Sequence, residues 1–198
     1  MSQTATHSAE DFRAGQALGL DHRKLGMWLF LASEVMFFGG LLAAFLHYKY
    51  TLGFPESSAL NVVLVGINTM VLLTSSYTVV SALAAIREGK QGRFVVFLFL
   101  TILLGIAFLT GQIFEFSDLY RHGVTLTSGV FGSSFFTLTG FHGLHVTAGV
   151  VWAIVTLLRG LRGTFSAENH SAVEVFGLYW HFVDIVWIVL FALIYLIA

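Results

Sequence analysis

Four ionisable side chains in this chain stand where they could do chemistry. His142 and His145 lie in Phe141-His142-Gly143-Leu144-His145-Val146, and His181 and Asp184 lie in Tyr179-Trp180-His181-Phe182-Val183-Asp184. Both segments sit inside long apolar runs, and Glu34 sits inside another. Ionisable groups at membrane depth are costly, and they persist where they pair, move protons or hold a ligand. An imidazole beside a carboxylate could pass a proton, clasp two helices by hydrogen bonds, or ligate a metal. Axial haem ligation takes one His from each of two facing helices, and His142 or His145 with His181 meets that count. The flanking residues are large aromatics, which leave little room for a porphyrin. The chain has no cysteine, so thiolate metal sites, disulfides and cysteine-attached haem are excluded.

Helical spacing sorts these groups into faces. Glu174, Gly177, His181 and Asp184 recur at intervals of three and four and form one stripe; His142, His145 and Gly149 form another. The two stripes are expected to face each other, with His142, His181 and Asp184 as helix clasps and Gly149 and Gly177 admitting a close neighbour. Glu34 falls about nine residues into its run, roughly 13 Å from the start at 1.5 Å per residue. Phe30 and Phe38 share its face, and no cation lies near it in sequence. A proton-linked or lipid-linked role is therefore expected for Glu34, while Glu174 is read as paired with His or Trp. Arg159, at the end of the fourth run, could hold a helix carbonyl or an anionic lipid headgroup.

The elements that must position these groups follow from composition. Of all residues 57% are hydrophobic and 11% charged, and the apolar residues gather into five runs of spanning length. The fold class is all-α, a polytopic membrane protein with five transmembrane helices at about 25–48, 59–86, 94–115, 130–158 and 173–197. Residues 123–129 are read as a turn before the fourth helix. Arg13, Arg23, Lys24, Arg87, Lys90, Arg93, Arg159 and Arg162 flank one side, against Lys49 and Arg121 on the other. That asymmetry predicts a cytoplasmic N-terminus and a C-terminus outside. Residues 1–24 lack the pattern of a signal peptide and read as a cytoplasmic arm, helical in part over 9–18. Residues 25–198 form one domain, and a net charge of −1 gives no indication of nucleic acid.

Several long segments now carry a resemblance. Leu25-Gly26-Met27-Trp28-Leu29-Phe30-Leu31-Ala32-Ser33-Glu34-Val35-Met36-Phe37-Phe38, Asn68 to Ser76, Gly140 to Val146, and Trp180-His181-Phe182-Val183-Asp184-Ile185-Val186-Trp187 resemble subunit III of haem-copper oxidases, in family order. The chain is similar to the short, five-helix bacterial form, and its start before Leu25 is outside the resemblance. The resemblance implies a non-redox subunit with no catalytic residues and no metal or cofactor of its own, haem and copper being held by partner subunits I and II. It implies a V-shaped arrangement, the first two helices set apart from the other three by a cleft holding structural phospholipids. Glu34 and Arg159 would belong to that lipid and proton-linked region, with His145 and Glu174 as weaker carry-overs.

The implied role is indirect: packing beside subunit I in a bacterial cytoplasmic membrane, fixing lipids, and keeping proton uptake fast while the complex reduces O2 and pumps protons. Glu34, in place of an Asp common in quinol-oxidase relatives, and Phe141 before the His-Gly-Leu-His segment favour cytochrome c over quinol as electron donor. A free-standing carrier using Glu34, Glu174, His181 and Asp184 as a relay is the reading from another class, although no inverted repeat or broken helix is visible.

Overall fold

The computed structural model describes residues 22–54 and 60–197, and everything described is helix or short connection. Five helices follow in order: α1 His22–Leu52, α2 Val62–Arg87, α3 Gln91–Arg121, α4 Val130–Leu161 and α5 Ser171–Phe191, which runs on into a π-helical turn Ala192–Leu196. All five are long and apolar enough to cross a bilayer. The chain is a multi-pass membrane protein. The fourth helix begins at Val130, after the turn expected over 123–129.

Two helices run well past their apolar limits. α1 continues to Leu52 and α3 to Arg121, where Gly53 and Gly123 take φ of 69° and 79°. A glycine in the left-handed region, not the last apolar residue, ends each of these helices. The extension of α3 brings Glu115 inside a helix, 6% exposed, although hydropathy alone placed it at a helix end. At the other terminus, residues 22–24 are the first turn of α1 and not part of an arm; residues 1–21, including the helix expected over 9–18, lie outside the described residues.

The expected division into two helices plus three is not what packing produces. α1 packs mainly against α4 and α5, whereas α2 packs on α3 and α5. Aromatic contacts explain the choice made by α1: Phe38 meets the His145 ring edge-on at 5.1 Å, Phe37 meets Phe141 at 5.1 Å, and Phe30 stacks on Tyr179 at 6.3 Å. Polar pairs fix α2. Its Ser75 and Thr69 hydroxyls accept from the indole N–H groups of Trp180 and Trp187, both at 3.0 Å, and Asn68 donates to the Phe108 carbonyl of α3 at 3.0 Å. In lipid, where apolar surface has no water to escape, such hydrogen bonds and close packing hold helices together.

Trp180 is the centre of that packing. It is 1% exposed, and two glycines make the slot it fills. A Cβ placed on Gly149 of α4 would lie 2.8 Å from the indole, and one on Gly105 of α3 would lie 2.9 Å from it. Trp180 thereby locks α2, α3, α4 and α5 at one level.

Candidate functional site

The site is built around α1, whose helix carries Glu34 toward α4. One Glu34 oxygen lies 3.2 Å from His145 Nε2, and both side chains are largely enclosed, at 17% and 18% exposure. His145 is oriented from its other side: Nδ1 donates to the Phe141 carbonyl one turn earlier, at 2.7 Å. That bond fixes Nε2 as the nitrogen that meets the carboxylate. The Tyr179 hydroxyl of α5 donates to the His145 carbonyl at 2.9 Å, so three helices converge here. A carboxylate and an imidazole sharing one hydrogen bond can exchange a proton or form an ion pair, depending on which is protonated. Glu34, which has no cation near it in sequence, thus finds its partner 111 residues away.

Glu174 stands at a second node. It pairs with Lys24 of α1 and Arg87 of α2, and His170, just before α5, approaches at 3.1 Å. Its side chain is 12% exposed while those of the two cations are 42% and 51% exposed. One carboxylate thus fastens the ends of α1, α2 and α5, which is not the pairing with a membrane His or Trp expected from its stripe. Glu174→Gln should weaken this end by about 1–2 kcal/mol, because two basic groups lose a shared acceptor. A lower melting midpoint in detergent, recovered by Glu174→Asp in part, checks it; an unchanged midpoint would mean that the node contributes no stability.

The two polar stripes do not face each other. The stripe of α5 turns to α2, where the Ser76 hydroxyl lies 2.7 Å from His181 Nδ1. His142 is fully buried between Trp187 and Phe108, at ring distances of 4.7 and 5.7 Å, with Nε2 3.2 Å from the Val183 carbonyl. His142 and His181 thus join helices, but to different neighbours. Asp184 differs: it is 3% exposed, and among the described residues neither of its oxygens has a hydrogen-bond partner. Its nearest basic atom is His181 Nδ1, at 4.0 Å. Glu115 likewise keeps one buried oxygen without a partner. Arg159 is exposed, its guanidinium 5.4 Å from the centre of the Phe165 ring.

Among the described residues no group of three His, Cys, Asp or Glu side chains converges as a metal site. The amino-acid order gave no site role to Lys24, Arg87, His170, Ser75, Ser76 or Tyr179. Only the two cations carried a signal, since basic residues at the ends of spans are the usual partners of a carboxylate at the same level. The hydroxyls carried none, because a Ser or Thr inside an apolar run most often bonds its own helix, as Thr74 does at 2.8 Å.

The model of the family described as "Cytochrome c oxidase subunit III" matches residues 13–198, starting upstream of Leu25 where the motif resemblance began. A Synechocystis protein named cytochrome c oxidase subunit 3 is 41% identical over 184 residues, covering 89% of this chain and 76% of its own length. A Bacillus subtilis protein of the same name is 40% identical over 178 residues, 88% and 86% of the two chains. A Staphylococcus saprophyticus protein named probable quinol oxidase subunit 3 is 38% identical over 178 residues, 88% and 89% of the two chains.

Proposed function

This chain belongs to the cytochrome c oxidase subunit III family, and from that we propose that it is the non-redox third subunit of a proton-pumping haem-copper oxidase, set beside subunits I and II. The haems and coppers belong to those partners; this subunit shields subunit I, holds phospholipid and keeps proton delivery fast enough to protect the catalytic centre. The observation that carries this reading is the Glu34–His145 hydrogen bond. It joins the Ser-Glu segment of α1 to the His-Gly-Leu-His segment of α4, two of the four segments that resemble the family. A protonatable pair at that depth, enclosed by Phe30, Phe38 and Tyr179, suits a group that responds to proton uptake in a neighbouring subunit.

Cytochrome c is the proposed electron donor, on Glu34 and Phe141. Relatives at similar identity carry both oxidase names, so a quinol donor is the second reading. The proposed setting is a bacterial cytoplasmic membrane with the N-terminus inside. Purification in mild detergent through a tag on this chain tests the proposal. A haem-copper oxidase spectrum with two larger partners is expected, and oxidation of cytochrome c or of quinol names the donor. A colourless chain that purifies alone would overturn the subunit reading, and a haem spectrum without partners would make the histidines ligands.

Arg159 is proposed as a phospholipid contact, since it is exposed at the last turn of α4 with its guanidinium over the Phe165 ring. An Arg near a membrane surface attracts an anionic headgroup by about 1 kcal/mol. Arg159→Leu should therefore weaken headgroup retention roughly five-fold, the factor that 1 kcal/mol represents. Phosphorus content per purified complex measures it, and an unchanged content would remove Arg159 from the lipid site.

A further inference from the structure

Because α1 and α2 both pack on α5, a cleft runs between them with α5 as its floor. One cavity of about 280 Å³ opens among Lys24, Arg87 and Glu174 and is walled by Val80 and Leu83. A second, of about 480 Å³, continues along Leu31, Val35 and Ile185. Three residues line both: Trp28, Leu178 and His181. His181 is thus the polar group at the junction of the two cavities, two turns below the Glu174 node.

The two ring nitrogens of His181 have different surroundings. Nδ1 lies 2.7 Å from the Ser76 hydroxyl. Nε2 has no hydrogen bond among the described residues, and the side chain, 34% exposed, borders the cleft. Behind the ring, 4.0 Å from Nδ1, stands Asp184, enclosed and, among the described residues, without a hydrogen-bond partner for either oxygen. A carboxyl enclosed beside an imidazole can exchange a proton with it. The imidazole is placed to do that, with one nitrogen toward the cavities and one toward the carboxylate.

We propose that His181 relays protons between this cleft and Asp184, which makes Asp184 a proton-loading site reached from the end of the bundle that carries Lys24, Arg87 and Glu174. In the loading step Nε2 takes a proton from hydronium in the cleft, which is left as water, and Nδ1 gives its proton to Asp184 directly or through the Ser76 hydroxyl. One N–H bond forms, one breaks, the carboxylate becomes a carboxyl, and the imidazole ends neutral in its other tautomer; unloading is the reverse. The charged and titratable groups lining the cleft are Lys24 from α1, Arg87 from α2, and Glu174 and His181 from α5, with Asp184 enclosed behind the His181 ring. Glu34 lines neither cavity, being turned to His145, so this is a second protonatable centre, and it does not rest on the proposed function.

Hydrogen–deuterium exchange at the histidine ring carbons, read residue by residue by mass spectrometry in the chain purified with the proteins that stay bound, tests the relay with heavy water as the probe. His181 is expected to exchange about ten-fold or more faster than the fully buried His142, with a pH midpoint that moves in Asp184→Asn. Gly177→Leu plugs the cleft at a position where an added Cβ meets only Val79, at 3.5 Å, and should slow His181 while leaving His145 unchanged. Wild-type exchange at His181 as slow as at His142 would mean a dry cleft filled by lipid tails and would overturn the proposal. So would a midpoint unmoved by Asp184→Asn, or a rate that Gly177→Leu leaves unchanged.

Discussion

Trp180→Ala is expected to cost the bundle roughly 3–5 kcal/mol, the usual loss for a fully buried tryptophan in a packed core. The indole is 1% exposed, donates to Ser75 at 3.0 Å, and fills the slot left by Gly105 and Gly149. Its removal opens a cavity where four helices meet and leaves the Ser75 hydroxyl with only its own-helix bond to the Leu72 carbonyl. Packing contact rather than water expulsion holds membrane helices together, so the vacated volume is felt in full. The expected result is a strongly lowered melting midpoint and little chain recovered from membranes. Gly149→Val should fail in the opposite way, by overfilling the slot. The double variant should be less damaging than the sum of the two, because the side chain of one occupies the space left by the other. Strict additivity would show that Trp180 and Gly149 do not share a slot.

Glu34→Gln should leave the bundle assembled and change what it does. A glutamine keeps the shape and can still hydrogen-bond His145 Nε2, whereas the charge that pairs with a protonated imidazole is gone. The pair is worth about 1–2 kcal/mol, a factor of roughly 5–30 in any equilibrium that depends on it. In the oxidase complex proposed above, catalytic lifetime should shift on that scale and protons moved per electron should fall, with spectrum and subunit content preserved. His145→Gln should act in the same direction. Turnover, pumping and inactivation all equal to wild type would remove the pair from the proton-linked role. Asp184→Asn makes a useful contrast in stability alone: among the described residues neither carboxylate oxygen meets a hydrogen-bond partner within bonding geometry, and an asparagine keeps the shape, so the melting midpoint should hardly fall.

The membrane-spanning class, the number of spans and the start of α4 at Val130 could be read from the amino-acid order, because hydropathy over about 20 residues is a local property. The same order singles out Glu34, His142, His145, Glu174, His181 and Asp184 as polar groups within or at the edge of an apolar run. Helix ends were misread where polar residues precede the terminating glycine, as at Gly53 and Gly123, since polarity marks the edge of the membrane and not the end of the hydrogen-bond ladder.

Which of those groups meet was decided only by the tertiary structure. The α4 and α5 stripes looked complementary, yet His145 turned to Glu34 and His181 to Ser76. Spacing of three and four fixes which residues share a face of one helix, and says nothing about which helix that face will meet. The rotation of each helix is set by close packing at Trp180 and by the aromatic contacts of α1, each made by residues far apart in sequence. Short-range contact acts over a few ångströms and leaves no pattern in the amino-acid order, so partners such as Ser76 for His181 and the Gly105–Gly149 slot for Trp180 emerge only once the bundle has closed.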